Sequence, residues 1–205
     1  MLTNSGSALL ALDARAVHVS AGLAAQAGAA DLARPTPCAG WSLRDLLAHM
    51  TAQHYGFAAA SAGDGDLAHW RVRAPGEDPV GEYLAAARHV LAAFAADGVL
   101  DRAFPLPEFT RGPAFPAPQA VSFHFIDYVV HSWDVAATLG LPARFDPALL
   151  DAALRVARDV PAGEARLAPG AAFAPEVTST GTSGLEQIAA VLGRSPDWKR
   201  PGAPA

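Results

Sequence analysis

Residues 117–139 read APQAVSFHFIDYVVHSWDVAATL, followed by Gly140 and, two residues on, Pro142. Between Pro118 and Gly140 there is neither proline nor glycine, so nothing interrupts a helix, and the glycine with a proline beyond it supplies a stop. At about 100° per residue the apolar Phe123, Phe125, Ile126, Tyr128, Val129, Val130, Trp133, Val135 and Leu139 spread around nearly the whole circumference. A helix of this kind is buried on most sides. Its ionisable residues behave differently: His124, Asp127, His131 and Asp134, with Thr138, share an arc of roughly 80° by the 3.6-residue period. One polar line runs along an apolar cylinder.

A helix buried on most sides needs other helices around it, and the flanking sequence provides them. Leu9, Leu12, Ala16, Val19 and Leu23 alternate spacings of three and four, predicting a first helix that ends near Gly28. Thr36-Pro37-Cys38-Ala39-Gly40-Trp41-Ser42 reads as a rigid turn in which Ser42 caps a second helix to about Ala62, with Trp41 placed to staple onto Leu46. Asp45, three residues past that cap, suits a positive helix start. Asp78-Pro79 opens a third helix whose stripe is Leu84, Ala87, Leu91 and Phe94 before Asp97-Gly98 stops it. Residues 99–118 hold Pro105, Pro107, Pro113, Pro116 and Pro118, which exclude a helix and predict an extended crossover with a short two-stranded ribbon. Asp146-Pro147 begins a fifth helix to about Asp159, and Thr182 or Ser183 a last short one to Leu192. The expected fold is all-α: an up-and-down four-helix bundle with a long crossover and short C-terminal helices. Residues 1–160 are expected to form the bundle with its fifth helix, and residues 161–205 a loop and short helix packed on it with a frayed end.

Composition narrows the function. The 205 residues carry 20 Asp+Glu against 15 Lys+Arg, a net charge of -5 with only 17% charged residues. No basic run is available to neutralise a phosphate backbone, which argues against nucleic acid as a partner. The first apolar stretch, Leu9 to Leu23, is broken by Asp13, Arg15 and His18, so neither a secretion signal nor a membrane span is expected. A single cysteine cannot close an internal disulfide, and a reducing cytoplasm is the expected address. An Ala-rich, weakly charged bundle is also compatible with a homodimer through helix faces.

The polar line on the fourth helix carries the chemistry. Imidazoles and carboxylates buried without partners cost several kcal/mol each, about 2–7 for a polar group and more for a charge, so they pair with one another, with a neighbouring helix or with a metal. Asp127 and His131, four apart, aim an oxygen and a nitrogen at one spot, the spacing by which bundles hold zinc or iron; a third ligand would come from a neighbouring helix. On the second helix His49 and Gln53, again four apart, are placed to face the fourth together. A core hydrogen-bonded Asp/His pair is the competing reading. His124 reads as a fourth ligand, a base behind the ligands or a core hydrogen-bonding residue. Cys38 reads as a small hydrophobe, Trp41 and Trp133 as core, His69-Trp70 as a surface loop, and His18 and His89 as exposed or half-buried.

Thr36-Pro37-Cys38-x-Gly40-Trp41-Ser42-x-x-Asp45-Leu46-x-x-His49, taken with Asp127-x-x-x-His131-x-Trp133-Asp134, resembles the DinB-like, mycothiol-dependent maleylpyruvate isomerase N-terminal domain superfamily, and within it an actinobacterial metal-binding branch. The resemblance runs from about residue 8 through Leu192-Gly193-Arg194-Ser195-Pro196-Asp197-Trp198. It implies a four-helix bundle holding one divalent metal, usually taken as zinc with nickel or iron as alternatives, through a His on the second helix and an acidic-x-x-x-His pair on the fourth. Those positions are His49, Asp127 and His131 here. Asp127 stands where the isomerase proper has Glu, and the isomerase's separate C-terminal domain is missing, so the resemblance carries the metal site further than the substrate.

Two functions follow. One is a metal-dependent enzyme using a low-molecular-weight thiol of the mycothiol type as cosubstrate, for isomerisation or S-transfer on a small molecule. The other is a metal- or ligand-binding bundle without catalysis.

Overall fold

The computed structural model describes residues 3–168, 171–178 and 183–201. Six α-helices dominate it: α1 (Thr3–Ala24), α2 (Leu43–Ser61), α3 (Pro79–Phe94), α4 (Ala117–Leu139), α5 (Pro147–Asp159) and α6 (Gly184–Val191). Two short antiparallel strands, β1 (Ala103–Phe104) and β2 (Phe115–Pro116), form the ribbon in the crossover. The fold is an all-α, DinB-like bundle. Among the described residues no helix is long and apolar enough to cross a membrane.

Local chemistry sets most helix ends where the sequence places them. Ser42 and Asp45 make a reciprocal capping box at the start of α2, the Ser42 hydroxyl accepting from the Asp45 amide and the Asp45 carboxylate from the Ser42 amide. The Ser42 hydroxyl also donates to the Asp45 carboxylate at 2.6 Å, and that bond, followed by the one from the Ser42 amide, holds the Asp45 carboxyl below its ordinary value. Asp78 and Asp146 cap α3 and α5 ahead of Pro79 and Pro147. α4 stops at Gly140, whose φ of 73° is left-handed. Ser183 caps α6 with Glu186, while the alternative start at Thr182 lies outside the described residues.

Two expectations need correction. α1 stops at Ala24 rather than near Gly28, because residues 28–31 close their own turn: the Asp31 carboxylate accepts the Gly28 amide at 2.8 Å, and buried Leu32 draws the chain across the bundle end. Trp41, expected in the core, lies at the surface. The turn is pinned by the Thr36 amide on the Trp41 carbonyl and by Gly40 at φ 81°, which leaves Trp41 37% exposed with its ring against His49.

α1 packs against α4 and α3, and α2 against α3 and α4, so the four close a ring in the order α1, α4, α2, α3. α2 and α4 are neighbours, and their facing sides meet inside the bundle. α5 lies on α4 and carries α6, whose Leu185 and Ile188 join the main core with Leu43, Leu46, Met50 and Val129. A second apolar cluster gathers Phe57, Trp70, Phe94, Phe104 and Val121 beneath the crossover.

In that cluster Trp70, read from sequence as part of a surface loop, is 1% exposed and seats on Gly56. A Cβ added to Gly56 would stand 2.3 Å from the indole. Gly56→Val is therefore expected to lower stability by about 2 kcal/mol or more through overpacking. For a chain of this size that is a fall in Tm of about 4–8 °C. An unchanged melting temperature would show that the indole does not need the glycine.

Candidate metal centre

His49 comes from the middle of α2, and Asp127 and His131 from successive turns of α4. One ligand atom from each lies within 4.8 Å of the other two. The His131 Nε2 stands 3.3 Å from an Asp127 oxygen, and the His49 and His131 rings meet edge-on with centroids 5.4 Å apart. Donors around one tetrahedral zinc ion at bond lengths of about 2.0–2.2 Å lie about 3.4 Å apart, so side-chain rotations that move these atoms by about an ångström would bring them onto one ion. The His131 side chain is 4% exposed and Asp127 18%, while His49 is half-buried beneath the exposed Trp41. The cluster is thus closed on its His131 side and partly exposed at Asp127 and His49.

Its electrostatics suit a cation. Burial, aided by the neighbouring His131 charge, pushes His49 down to about 4, so its nitrogens are free of a second proton at neutral pH. Burial, the largest single effect, would raise the Asp127 carboxyl, but the charge and hydrogen bond of His131 together with the other nearby imidazoles outweigh it and the group falls to about 2. Burial likewise opposes a charged His131, and the Asp127 and Asp134 carboxylates overcome it, holding the imidazole well above its ordinary 6.5. Without metal, a proton on His131 occupies the place between the two carboxylates.

The inner side is built by residues from three parts of the chain. The His131 Nδ1 donates to an Asp134 oxygen at 2.8 Å, and the Cys38 thiol donates to the same oxygen at 3.3 Å. Arg194, from the segment after α6, reaches that oxygen at 3.2 Å and the Cys38 sulfur at 3.7 Å. Cys38, His131 and Asp134 are themselves grouped closely enough for a metal. The guanidinium already supplies the cation at that spot, so this second group does not fit an ion. Cys38 is thus a partner in a polar network, beyond the small hydrophobe read from sequence.

The structure separates His124 from the three candidate ligands. Its Nδ1 lies 2.6 Å from a carboxylate oxygen of Asp13 on α1, and its Nε2 lies 3.1 Å from the Nδ1 of His54 on α2. All three side chains are buried, and the His54 ring stacks on Tyr128 at 3.9 Å. With its Nδ1–H donated to the Asp13 oxygen, His124 accepts at Nε2 from the Nδ1–H of His54. The His54 Nε2 is left with no partner among the described residues. This is the core hydrogen-bonding role for His124, in a chain of three rather than a pair.

Gln53 is buried, and its amide donates to Glu108 of the crossover at 2.8 Å. Burial raises the Glu108 carboxyl, the Gln53 bond opposes that, and the Asp127 charge adds to the rise. No sequence signal marked Glu108, and Arg194 lies in the closing motif of the resemblance, which assigns it no role. Both lie in irregular segments, where periodicity says nothing about which way a side chain points. His18 and His89 are exposed, as expected.

These shifts give the metal-free protein a stability maximum. His49 and buried His54 are both lowered, so below their ordinary 6.5 the unfolded chain takes up protons the fold refuses, and stability falls with pH. His131 is raised, so its contribution is complete below 6.5 and is lost as pH climbs towards its folded value. Each limb has a slope of up to about 1.4 kcal/mol per pH unit per group. Thermal melts in chelator should peak near pH 6.5 and decline on both sides; a Tm that rises steadily from pH 6.5 to 9 would contradict these protonation states.

Residues 14–136 match the family model of the mycothiol maleylpyruvate isomerase N-terminal domain, and the chain belongs to that family. Two uncharacterized proteins from two strains of Mycobacterium tuberculosis are each 31% identical to it over 188 residues, covering 88% of this chain and 94% of the relative. No solved structure matches the chain.

Proposed function

We propose that the protein is a divalent-metal-dependent enzyme that works with a low-molecular-weight thiol of the mycothiol type, catalysing isomerisation or S-transfer on a small electrophilic molecule. The observation that carries this is the gathering of one donor each from His49, Asp127 and His131 within 4.8 Å of one another at a partly exposed edge of the bundle. Two imidazoles and one carboxylate form the donor set of catalytic rather than structural zinc, which leaves a coordination position for a reactant. When bound, such an ion lowers the pKa of a thiol or water beside it and polarises an electrophile.

The chain's own residues supply the rest. His49 and His131 offer nitrogens, Asp127 the neutralising carboxylate. Trp41, 37% exposed with its ring on His49, gives that edge an apolar wall that excludes water from one flank. Glu108, a surface carboxyl that partial burial raises and Gln53 tethers, is the group suited to exchange a proton at the crossover side during thiol addition and elimination.

Calorimetry of mycothiol into zinc-loaded protein, followed by a panel of electrophiles, tests the reading. Expected are saturable thiol binding that zinc-free protein lacks, and turnover of at least one electrophile. A metal-loaded protein that binds no thiol and turns over no electrophile would instead be a non-catalytic metal-binding bundle.

A further inference from the structure

Arg194 lies outside the residues matched by the family model, which end at 136. It is 8% exposed, and its side chain is committed entirely to the inner side of the centre. Nη1 donates to the Leu192 carbonyl at 2.9 Å, Nη2 to an Asp134 oxygen at 3.2 Å, and Nε approaches the other Asp134 oxygen at 3.5 Å. Its flat face lies 5.5 Å from the centroid of Phe173. A guanidinium held at this many points cannot turn away without leaving donors unpaired. Asp134 is fully buried, and its second neighbour is His131 Nδ1 at 2.8 Å.

We propose that Arg194 is a positioning residue for the centre: it fixes Asp134, and Asp134 fixes the His131 ring with Nε2 directed at Asp127 and His49. The inference rests on the metal-site reading above and extends it to the C-terminal segment. A carboxylate behind a ligating imidazole sets the ring's orientation and which nitrogen keeps its proton. A carboxylate buried with no cation of its own would rotate, draw in water or abandon the imidazole. Arg194 prevents that, and the short helix α6 matters because Leu185, Ile188 and Leu192 anchor the segment that delivers it. Lysine would not substitute well, because a single ammonium cannot span both carboxylate oxygens and the Leu192 carbonyl.

A double-mutant cycle on the full chain tests this, reading zinc affinity by competition with a chelating dye, with Tm measured on each metal-free variant. Outer partners of ligating residues typically contribute about 10–100-fold in metal affinity, so Arg194→Ala is expected to weaken zinc binding by that factor. Arg194→Lys should recover only part of it. On an Asp134→Asn background, where no carboxylate remains to be held, Arg194→Ala should cost under about 3-fold, the mark of one residue acting through the other. In the zinc-loaded protein, nitrogen NMR of the His131 ring should show Nδ1–H and a ligated Nε2 in the wild type, and exchange broadening of that pattern in Arg194→Ala. A purely structural arginine would lower Tm while leaving zinc affinity and the His131 spectrum of the folded protein unchanged, and would overturn the proposal. Equal losses on both backgrounds would overturn it as well. If the wild type binds zinc and His49→Ala and His131→Ala abolish binding, only the role of Arg194 is at stake in these results. If the wild type binds no zinc, the metal-site reading fails and this one falls with it.

Discussion

His131→Ala is expected to abolish tight metal uptake and to destabilise the metal-free protein at once. Loss of an outer partner costs about 10–100-fold in affinity, so loss of a ligand should exceed about 100-fold. In the metal-free state the imidazole stands between Asp127 at 3.3 Å and Asp134 at 2.8 Å. Its removal leaves two carboxylates facing a cavity. Breaking a buried pair costs about 3–5 kcal/mol, and the low end applies because Arg194 still compensates Asp134. A fall in Tm of about 6–12 °C should therefore appear in chelator, measured by thermal denaturation. Undiminished metal binding with a normal Tm would place neither the ion nor the charge balance at His131.

Asp13→Ala is expected to have the second largest effect, on stability alone. Asp13 is 1% exposed and accepts the His124 proton at 2.6 Å, and His124 in turn meets His54. Truncation leaves a buried N–H without an acceptor, at about 1–3 kcal/mol, and opens a small cavity besides. A total of about 3 kcal/mol corresponds to a Tm lower by about 6–12 °C. Asp13→Asn keeps an acceptor oxygen and should lose less than half as much. Metal affinity should move little in either variant, because His124 faces α1 and not the three candidate ligands. If Asp13→Ala melts with the wild type, the three-residue chain does not tie α1 to α2 and α4.

The helices were legible wherever their ends carry their own chemistry. α4 runs from Ala117 to Leu139 as read, because a proline-rich approach and a left-handed Gly140 leave no other solution. Ser42 with Asp45, Asp78 with Pro79 and Asp146 with Pro147 likewise announce their helices within four residues. The polar line of α4 was legible as a line, but not as two separate groups. Helical periodicity places His124, Asp127, His131 and Asp134 on one side, yet says nothing about which neighbour each successive turn meets. His124 meets a carboxylate 111 residues away, and Asp134 meets an arginine 60 residues away. Such pairings arise only from the packing of α1 and of the C-terminal segment against α4. Trp41 was misread for a related reason. A place in the core needs the residue before the cap to fold inward, whereas the Gly40 turn sends this one over His49.

Within the centre, the i, i+4 spacing of Asp127 and His131 on α4 was readable as a two-ligand unit. His49 was legible from its spacing with Gln53 and from the motif that carries the resemblance. The structure puts His49 with Asp127 and His131, and it puts His54 against Tyr128 and His124.

The most direct test is elemental analysis of untagged wild-type protein beside His49→Ala, Asp127→Ala and His131→Ala, with exposed His89→Ala as control. A site that binds as proposed should hold about one equivalent of divalent metal in the wild type and control, and lose it in all three variants. No retained metal in the wild type after zinc loading, or equal metal in all five proteins, would contradict the assignment of His49, Asp127 and His131 as the ligands.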